Sequence, residues 1–271
     1  MCRKKLSICI PTYNRPEKLI KQALFLANEV AHLSDSNQVE IIIRDNHSDI
    51  LGYDSFAQRL EGSGIKLHRN DVNIGLVGNL NVLLQEATGE YVWFVGDDDI
   101  LHEGIVKKVY EKCTDIGLVF INHRAVDEQG KVKLKEAFNK HTQKSIHHVF
   151  RYSGTTMMFI TACVYKRELL EEVFSKSELQ LSLPLRASLY CAEKGGAVYI
   201  DDILIDNYWG EVSWSDSSKD IFLRQVPMDL LASLRFSVSK VNALHSLVRY
   251  LLRNYKRMIK YAFKKHVLKR H

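Results

Sequence analysis

The 271-residue chain lacks any CxxC pair, and its five cysteines, Cys2, Cys9, Cys113, Cys163 and Cys191, are odd in number. Neither a disulfide framework nor a zinc knuckle follows from that pattern, so the thiols are expected to be reduced and buried. No uncharged apolar run approaches the ~18 residues that crossing a bilayer requires. The apolar stretch before Pro11 is too short for the core of a signal peptide, and a cytoplasmic protein is expected. No G-x-G-x-x-G follows a strand-like run, which speaks against a dinucleotide oxidoreductase. Only four prolines occur, with no repeat and no Pro/Gly-rich linker. The expected organisation is a body over residues 1–239 and a tail over residues 240–271. Acidic residues are missing from that tail, which holds ten of the 38 Lys and Arg. The remaining 28 face 32 Asp and Glu, so the net charge of +6 divides into a mildly acidic body and a basic tail. A uniformly basic nucleic-acid binder is excluded. With 46% hydrophobic residues, the body can bury a core.

In the first half, apolar runs alternate with helical periodicity. Leu6–Ile10 reads as a strand that Pro11 stops, and Leu19, Ala23, Leu26, Ala27 and Val30 recur at helical spacing. Val39–Ile43, Ile65–His68 and Tyr91–Val95 read as further strands, with a helix through Leu76, Leu80, Leu83, Leu84 and Ala87 before the last. Alternation of this kind predicts an α/β fold with a mostly parallel central sheet, whose ligands lie beyond the carboxyl ends of the strands. All four loops at that end are polar. Beyond residue 115 the pattern loosens: a strand over 116–121, a hairpin turn at Asp127–Gly130, a β-like stretch over 156–165, a helix over 166–174 and a strand over 197–200. Residues 178–194 are ambiguous, with Pro184 starting or breaking a helix.

Asp97, Asp98 and Asp99 follow the Trp93-containing strand through Gly96. Three adjacent carboxylates repel one another unless a cation or a hydrogen-bond network offsets them. Their hard oxygens suit Mg²⁺ or Mn²⁺, which would neutralise a diphosphate leaving group. A solvated turn in which Asp99 caps the next helix is the alternative. Asp45 ends the second strand, where its carboxylate can accept from a base edge or cap a helix. Pro11, Thr12, Tyr13 and Arg15 follow the first strand and offer base and phosphate contacts.

The segments LSICIPTYNRPEKL, VEIIIRDNHSD, RNDVNIGLVGNLN and ATGEYVWFVGDDDIL occur in this order. Together they resemble the nucleotide-diphospho-sugar-binding half of family 2 glycosyltransferases of the GT-A fold. GDDDIL and the later NYWGEVSW are most similar to a bacterial surface-polysaccharide branch that includes abequosyltransferase-like enzymes. The resemblance implies a GT-A fold with a C-terminal amphipathic helical tail, a nucleotide half over 5–105 and an acceptor half over 106–239. It implies nucleotide contacts from Pro11, Thr12, Tyr13 and Arg15, base pairing by Asp45, and a donor border at Asn73 and Gly75 with Asn79 on the next helix. Asp97 and Asp98 would face the diphosphate, and Asp98 and Asp99 would hold Mn²⁺ or Mg²⁺. Two departures stand out: Gly96 replaces an acid common in relatives, and Arg44 replaces the first of two acids before Asp45.

The implied reaction moves a sugar from a nucleotide-diphosphate donor to a glycan or polyprenyl-linked acceptor in surface-polysaccharide synthesis. If it inverts configuration, a carboxylate must deprotonate the acceptor hydroxyl. The family's acidic segment corresponds here to residues 175–182, which lack its Glu-Asp pair, and Glu178 is the nearest candidate. Asp201 and Asp202 are alternatives, and a retaining or impaired enzyme follows if none serves. A non-catalytic scaffold and a nucleotidyltransferase are the competing classes. Gly154–Thr156 and Arg167 fit the acceptor side or, equally, a turn and a helix-start cation. The histidines show no zinc spacing. Tyr208, Trp209 and Trp214 fit sugar stacking or packing.

In the tail, apolar residues from Leu244 to Val267 keep i, i+3, i+4 spacing, with Arg249, Arg253, Lys256, Arg257, Lys260, Lys264 and Lys265 between them. A basic amphipathic helix suits the plane of an anionic membrane surface, each cation there contributing about 1 kcal/mol. The protein is expected to sit peripherally on the inner face of the plasma membrane, with no nucleic-acid partner. Packing on the body, dimerisation and nucleic-acid binding remain open as alternatives.

Overall fold

In the computed structural model, which describes residues 4–49, 53–127, 129–139, 145–208 and 217–267, each apolar run of the first half is a strand. Of residues 53–56, 208 and 264–267 only the backbone is described. The chain runs β1 (Leu6–Thr12), α1 (Pro16–Ala31), β2 (Val39–Asp45), α2 (Tyr53–Leu60), β3 (Lys66–Arg69), α3 (Gly75–Glu86) and β4 (Tyr91–Phe94). There follow β5 (Ile100–Leu101), α4 (Ile105–Lys112), β6 (Leu118–Val126), β7 (Val132–Leu134), α5 (Ile146–Ser153), β8 (Cys163–Lys166) and α6 (Arg167–Lys176). The last elements are α7 (Leu183–Gly195), β9 (Ala197–Tyr208), α8 (Ser218–Asp220), α9 (Val226–Phe236) and α10 (Lys240–Val267).

One sheet carries them in the order β3-β2-β1-β4-β8-β6-β9-β5, with β7 beside β6. The four strands β3-β2-β1-β4 are parallel, as are β6 and β9, whereas β8 lies antiparallel to β4 and β6. Helices cover the sheet. In α1, Pro16 sits in the first turn, where its missing N–H costs no bond, and Leu19, Ile20, Ala23 and Leu26 turn inward. Leu80, Leu83, Trp93, Phe94 and Phe120 fill the centre of the core.

Several boundaries differ from the sequence expectation. Pro11 does not end β1, which pairs with β2 through Pro11 opposite Arg44 and Thr12 opposite Asp45. Val95 N–H donates to the Cys9 carbonyl, so the amide position two residues on, at Pro11, faces the β4 side, where pairing has ended at Phe94. A residue without an N–H is tolerated there. The stretch 156–165 is mostly two short 3₁₀ turns, Gly154–Met158 and Ile160–Ala162, before β8. In the ambiguous stretch 178–194, Pro184 starts a helix: α7 begins at Leu183, with the proline in its first turn. Asp201 and Asp202 lie within β9, not after it. The Asp127–Gly130 turn does close a hairpin, with Gly130 N–H donating to the Asp127 carbonyl at 2.9 Å.

Cys9, Cys113, Cys163 and Cys191 are all free and buried. Burial pushes the Cys9 and Cys191 thiols up, Cys113 to about 12 and Cys163 to about 11. These four are expected to stay unmodified by a thiol reagent at neutral pH and to react only after denaturation, which peptide mass spectrometry reads directly.

Candidate active site

The carboxyl ends of β1, β2, β3 and β4 open into loops that are bonded to one another rather than left to solvent. Thr12 Oγ1, at the end of β1, donates to Asp97 Oδ2 at 2.7 Å. Arg15 Nη1 reaches Asp97 Oδ1 at 3.1 Å and Asp98 Oδ2 at 2.6 Å, and Lys18 Nζ lies 3.8 Å from Asp98. The loops after β1 and β2 clamp each other: Asn14 N–H donates to Ser48 Oγ and Asp49 N–H to Asn14 Oδ1, both at 2.8 Å. Asn14 (φ 56°) and His47 (φ 65°) hold left-handed backbone, which non-glycine residues adopt rarely and mostly at functional loops. Tyr13 stands 41% exposed above this clamp.

Asp45 is buried, and its carboxylate accepts from Ser48 N–H at 3.1 Å, from the Ser48 hydroxyl and from Arg69 Nε at 3.2 Å. It braces the loop before α2 and caps no helix. A ladder of asparagines joins the loops after β2 and β3. Asn46 Oδ1 accepts from Asn70 Nδ2 and Ile74 N–H, both at 3.0 Å, while Asn73 Oδ1 accepts from Asn46 Nδ2 and Gly75 N–H at 2.8 and 2.9 Å. Asn79, also buried, donates to the Arg44 carbonyl and accepts from Asn70. Gly75 opens α3 at φ 73°, a left-handed conformation that a side chain would strain. Arg44 turns away from Asp45 toward Asn70 and Glu86, as alternation along a strand requires.

The three aspartates have different surroundings. Asp98 is the most exposed, its side chain 30% accessible. Asp97 is buried, and burial raises its pKa although Thr12 and Arg15 pull the other way. Asp99 does not cap a helix, since α4 begins later, behind Gly104. Its carboxylate folds back under Gly96, where Thr161 Oγ1 donates to it, and Thr161 also accepts Gly96 N–H at 2.8 Å. A Cβ at Gly96 would stand 2.4 Å from Asp99 Oδ2, so the glycine makes this orientation possible. Burial, with Asp98 and Asp97 adding repulsion, pushes Asp99 to about 7. Burial works against the charge of Arg15 too, yet Asp97 and Asp98 outweigh it and raise its pKa.

Burial first and mutual repulsion second thus disfavour the charged forms of Asp97 and Asp99, and ionising both calls for more positive charge than Arg15 supplies. The donor set is all carboxylate oxygen, the chemistry of a hard divalent ion that keeps positions for substrate phosphate. The three groups do not converge on one point, and among the described residues no cluster of three or more His, Cys, Asp or Glu forms a cage. A hard divalent ion at this turn would need ligands beyond these carboxylates, such as substrate phosphates.

Topology brings the 177–182 loop to the same end of the sheet. β8 runs antiparallel to β4, α6 returns in the opposite direction, and α7 descends to the start of β9, which is parallel to β6. Glu178 is exposed on that loop, near enough to Arg224 to raise its pKa together with Asp220. The loop is anchored by Asp229, a buried carboxylate that accepts from Gln180, Ser182 and Arg186. Asp202 pairs with Lys108 away from these loops.

Sequence reasoning missed four contributors. Thr161 comes from a 3₁₀ turn far along the chain. Asn46 and Asn70 repeat the pattern of asparagine after a charged residue at a strand end, a signal that was present. Asp206, opposite Ile100 across β5 and β9, accepts from both Arg124 and His102. Gly154–Thr156 forms a turn, and Arg167 braces the Gly89 carbonyl at 2.8 Å. Burial lowers His123 and His147 to about 4, in keeping with packed histidines. Tyr208 ends β9, whereas Trp209 and Trp214 lie outside the described residues.

The sequence profile of glycosyl transferase family 2 matches residues 7–174, which include all four loops and Thr161. The chain belongs to glycosyl transferase family 2. Among curated members, the chain is 26% identical over 186 residues to the poly(ribitol-phosphate) beta-N-acetylglucosaminyltransferase TarP of Staphylococcus aureus, covering 64% of this chain and 54% of TarP. It is 30% identical over 143 residues to the GalNAc(5)-diNAcBac-PP-undecaprenol beta-1,3-glucosyltransferase of Campylobacter jejuni, covering 52% and 44% of the two chains. It is 34% identical over 103 residues to abequosyltransferase RfbV of Salmonella typhimurium, covering 35% and 28%. The chain thus spans about half the length of the first two. The crystal structure of S. aureus TarS 1–349 superposes with a TM-score of 0.68 at 18% identity, covering 93% of this chain and 72% of TarS 1–349. This likeness establishes the GT-A fold.

Proposed function

We propose that this family 2 protein transfers a sugar from a nucleoside-diphosphate donor to a glycan or lipid-linked acceptor in the synthesis of a bacterial surface polysaccharide. The observation that carries the reading is the cross-bonding of Thr12, Arg15 and the Asp97–Asp99 turn at the carboxyl edge of four parallel strands. TarP, the C. jejuni enzyme and RfbV carry names of sugar transferases, which supports the same chemistry here. Residues 5–105 form the donor half and residues 106–239 the acceptor half.

In this reading Tyr13 stacks on the base above the Asp45-braced loop, and the Asn73–Gly75 loop borders the nucleotide and sugar. Arg15 and Lys18 face the diphosphate from the first turn of α1. Asp98 and Asp99 would hold Mg²⁺ or Mn²⁺, which supplies positive charge to the departing diphosphate oxygens. Glu178 takes the proton of the acceptor hydroxyl as its oxygen forms the new bond to the anomeric carbon. The bond from that carbon to the diphosphate breaks, its electron pair stays on the diphosphate, and configuration inverts.

Thermal shift with the common nucleoside diphosphates, with and without Mn²⁺, tests the donor class. A shift requiring one nucleotide and the ion supports the reading, and release of an intact nucleoside diphosphate on turnover distinguishes sugar transfer from nucleotidyl transfer. Glu178→Gln is expected to slow transfer by about 10²-fold or more with donor KM unchanged. A turnover equal to the parent's would remove Glu178 from the reaction.

A further inference from the structure

The cationic helix α10 carries two apolar faces. One packs on the body: Ala243, Ser246 and Leu247 are buried, and polar contacts fix the helix along its length. Arg151 donates to the Asn242 carbonyl at 3.2 Å, Tyr250 to the Phe222 carbonyl at 2.7 Å and Tyr261 to Asp220 Oδ1 at 2.7 Å. These contacts set the rotation of the helix about its axis. A second stripe of Leu244, Val248, Leu252, Tyr255, Ile259 and Phe263 is thereby held outward, each side chain between 42% and 74% exposed. At roughly 100° per residue, this stripe lies roughly 155° around the helix from the packed face.

The third face holds Arg249, Arg253, Lys256, Arg257 and Lys260, all exposed. Among the described residues none of these five makes an ion pair with an acid. At the same angular step they lie roughly 115° from the outward stripe, flanking it between the stripe and the packed face. No Asp or Glu occurs anywhere in residues 240–271.

We propose that the outward stripe of α10 docks on an anionic phospholipid surface, the apolar side chains entering the acyl boundary while the neighbouring cations meet the headgroups. Charge complementarity singles out this occupant. A second copy of the chain seated on the stripe would bring two rows of unpaired cations together, which opposes that pairing. A nucleic acid would use the cations but leave the aliphatic stripe in water, whereas an anionic bilayer satisfies both faces. No helix among the described residues is long and apolar enough to cross a membrane, so the mode is in-plane. The inference stands on α10 alone and does not depend on the sugar-transfer reading.

The test is co-sedimentation of the full chain, without donor or acceptor, with vesicles of phosphatidylcholine or of equal parts phosphatidylcholine and phosphatidylglycerol. Binding is expected to the mixed vesicles only, and to weaken with salt. The double variant Leu252→Glu with Ile259→Glu, at two exposed positions, is expected to lose at least about tenfold in vesicle affinity at unchanged melting temperature. Lys256→Glu with Lys260→Glu is expected to lose binding with the apolar stripe intact. Equal binding to neutral vesicles, equal binding by both variants, or no binding by the parent overturns the proposal. A parent dimer that Leu252→Glu with Ile259→Glu converts to monomer, without vesicle binding, assigns the stripe to a second copy.

Discussion

Replacing Asp98 by Asn is expected to lower sugar transfer by at least about 10²-fold while leaving the protein as stable as the parent or more so. The two effects separate because, under the proposed reaction, Asp98 stabilises charge in the transition state, whereas in the fold it is a burden. It is the most exposed of the three aspartates, and its carboxylate is one of the two that raise Asp99 further once burial has done so. Removing that charge relieves Asp99 and leaves Arg15 to Asp97 at 3.1 Å. The opposite sign is expected for Arg15→Ala, which strips the guanidinium from Asp97 and Asp98 and leaves a buried carboxylate uncompensated. Transfer assays alongside thermal melting check both. If Asp98→Asn turns over at the parent rate, the acidic turn has no part in catalysis and a binding role for the chain takes its place.

The first hundred or so residues were legible because their strands are short apolar runs bounded by polar loops, and alternation with helical periodicity fixes parallel order and hence the end at which the loops gather. What stayed hidden depends on long-range contact. Thr161 satisfies both Gly96 and Asp99 from a 3₁₀ turn whose apolar composition reads as a strand. Once Thr161 and Gly96 are seen together, the glycine that departs from the family pattern has a physical role: it gives the Asp99 carboxylate room to fold back. Asp206 escaped because its partners, Arg124 and His102, come from different strands and loops. In α10 the two apolar faces share one i, i+3, i+4 repeat, and only packing against α5 and α9 divides it into an inward and an outward stripe. The tail drawn at residue 240 is for its first turns part of the body, since Ala243 and Leu247 are core residues.

At the opposite end of the same strands, Glu40→Gln is expected to lower stability by about 3 kcal/mol. Glu40 pairs in register with Ser7, and its side chain is only 4% accessible. Burial alone would raise its pKa. Instead Lys66 Nζ at 2.7 Å, Ser7 Oγ at 2.6 Å and the Thr88 N–H and hydroxyl at 2.8 and 2.7 Å hold the carboxylate charged and pull it down to about 2. One ionised group therefore ties β1, β2, β3 and the loop entering β4, and Ser7 carries the network on to Gly89 N–H at 2.8 Å. A depressed carboxylate stabilises the fold fully above its unfolded value, near pH ~4.5, and that contribution is lost as pH falls through about 2. The amide keeps the acceptor for Thr88 but turns an uncharged donor toward Lys66, so the acid-dependent part of stability between those limits should vanish with it. At this chain length the loss corresponds to a melting temperature lower by roughly 6–12 °C at neutral pH. Because Glu40 lies at the amino end of the strands, away from Asp97–Asp99, transfer per folded molecule should match the parent. Urea titrations of the two proteins at neutral and acid pH read the outcome: parallel curves that never converge on acidification would assign the stabilisation to packing at residue 40 and not to its charge.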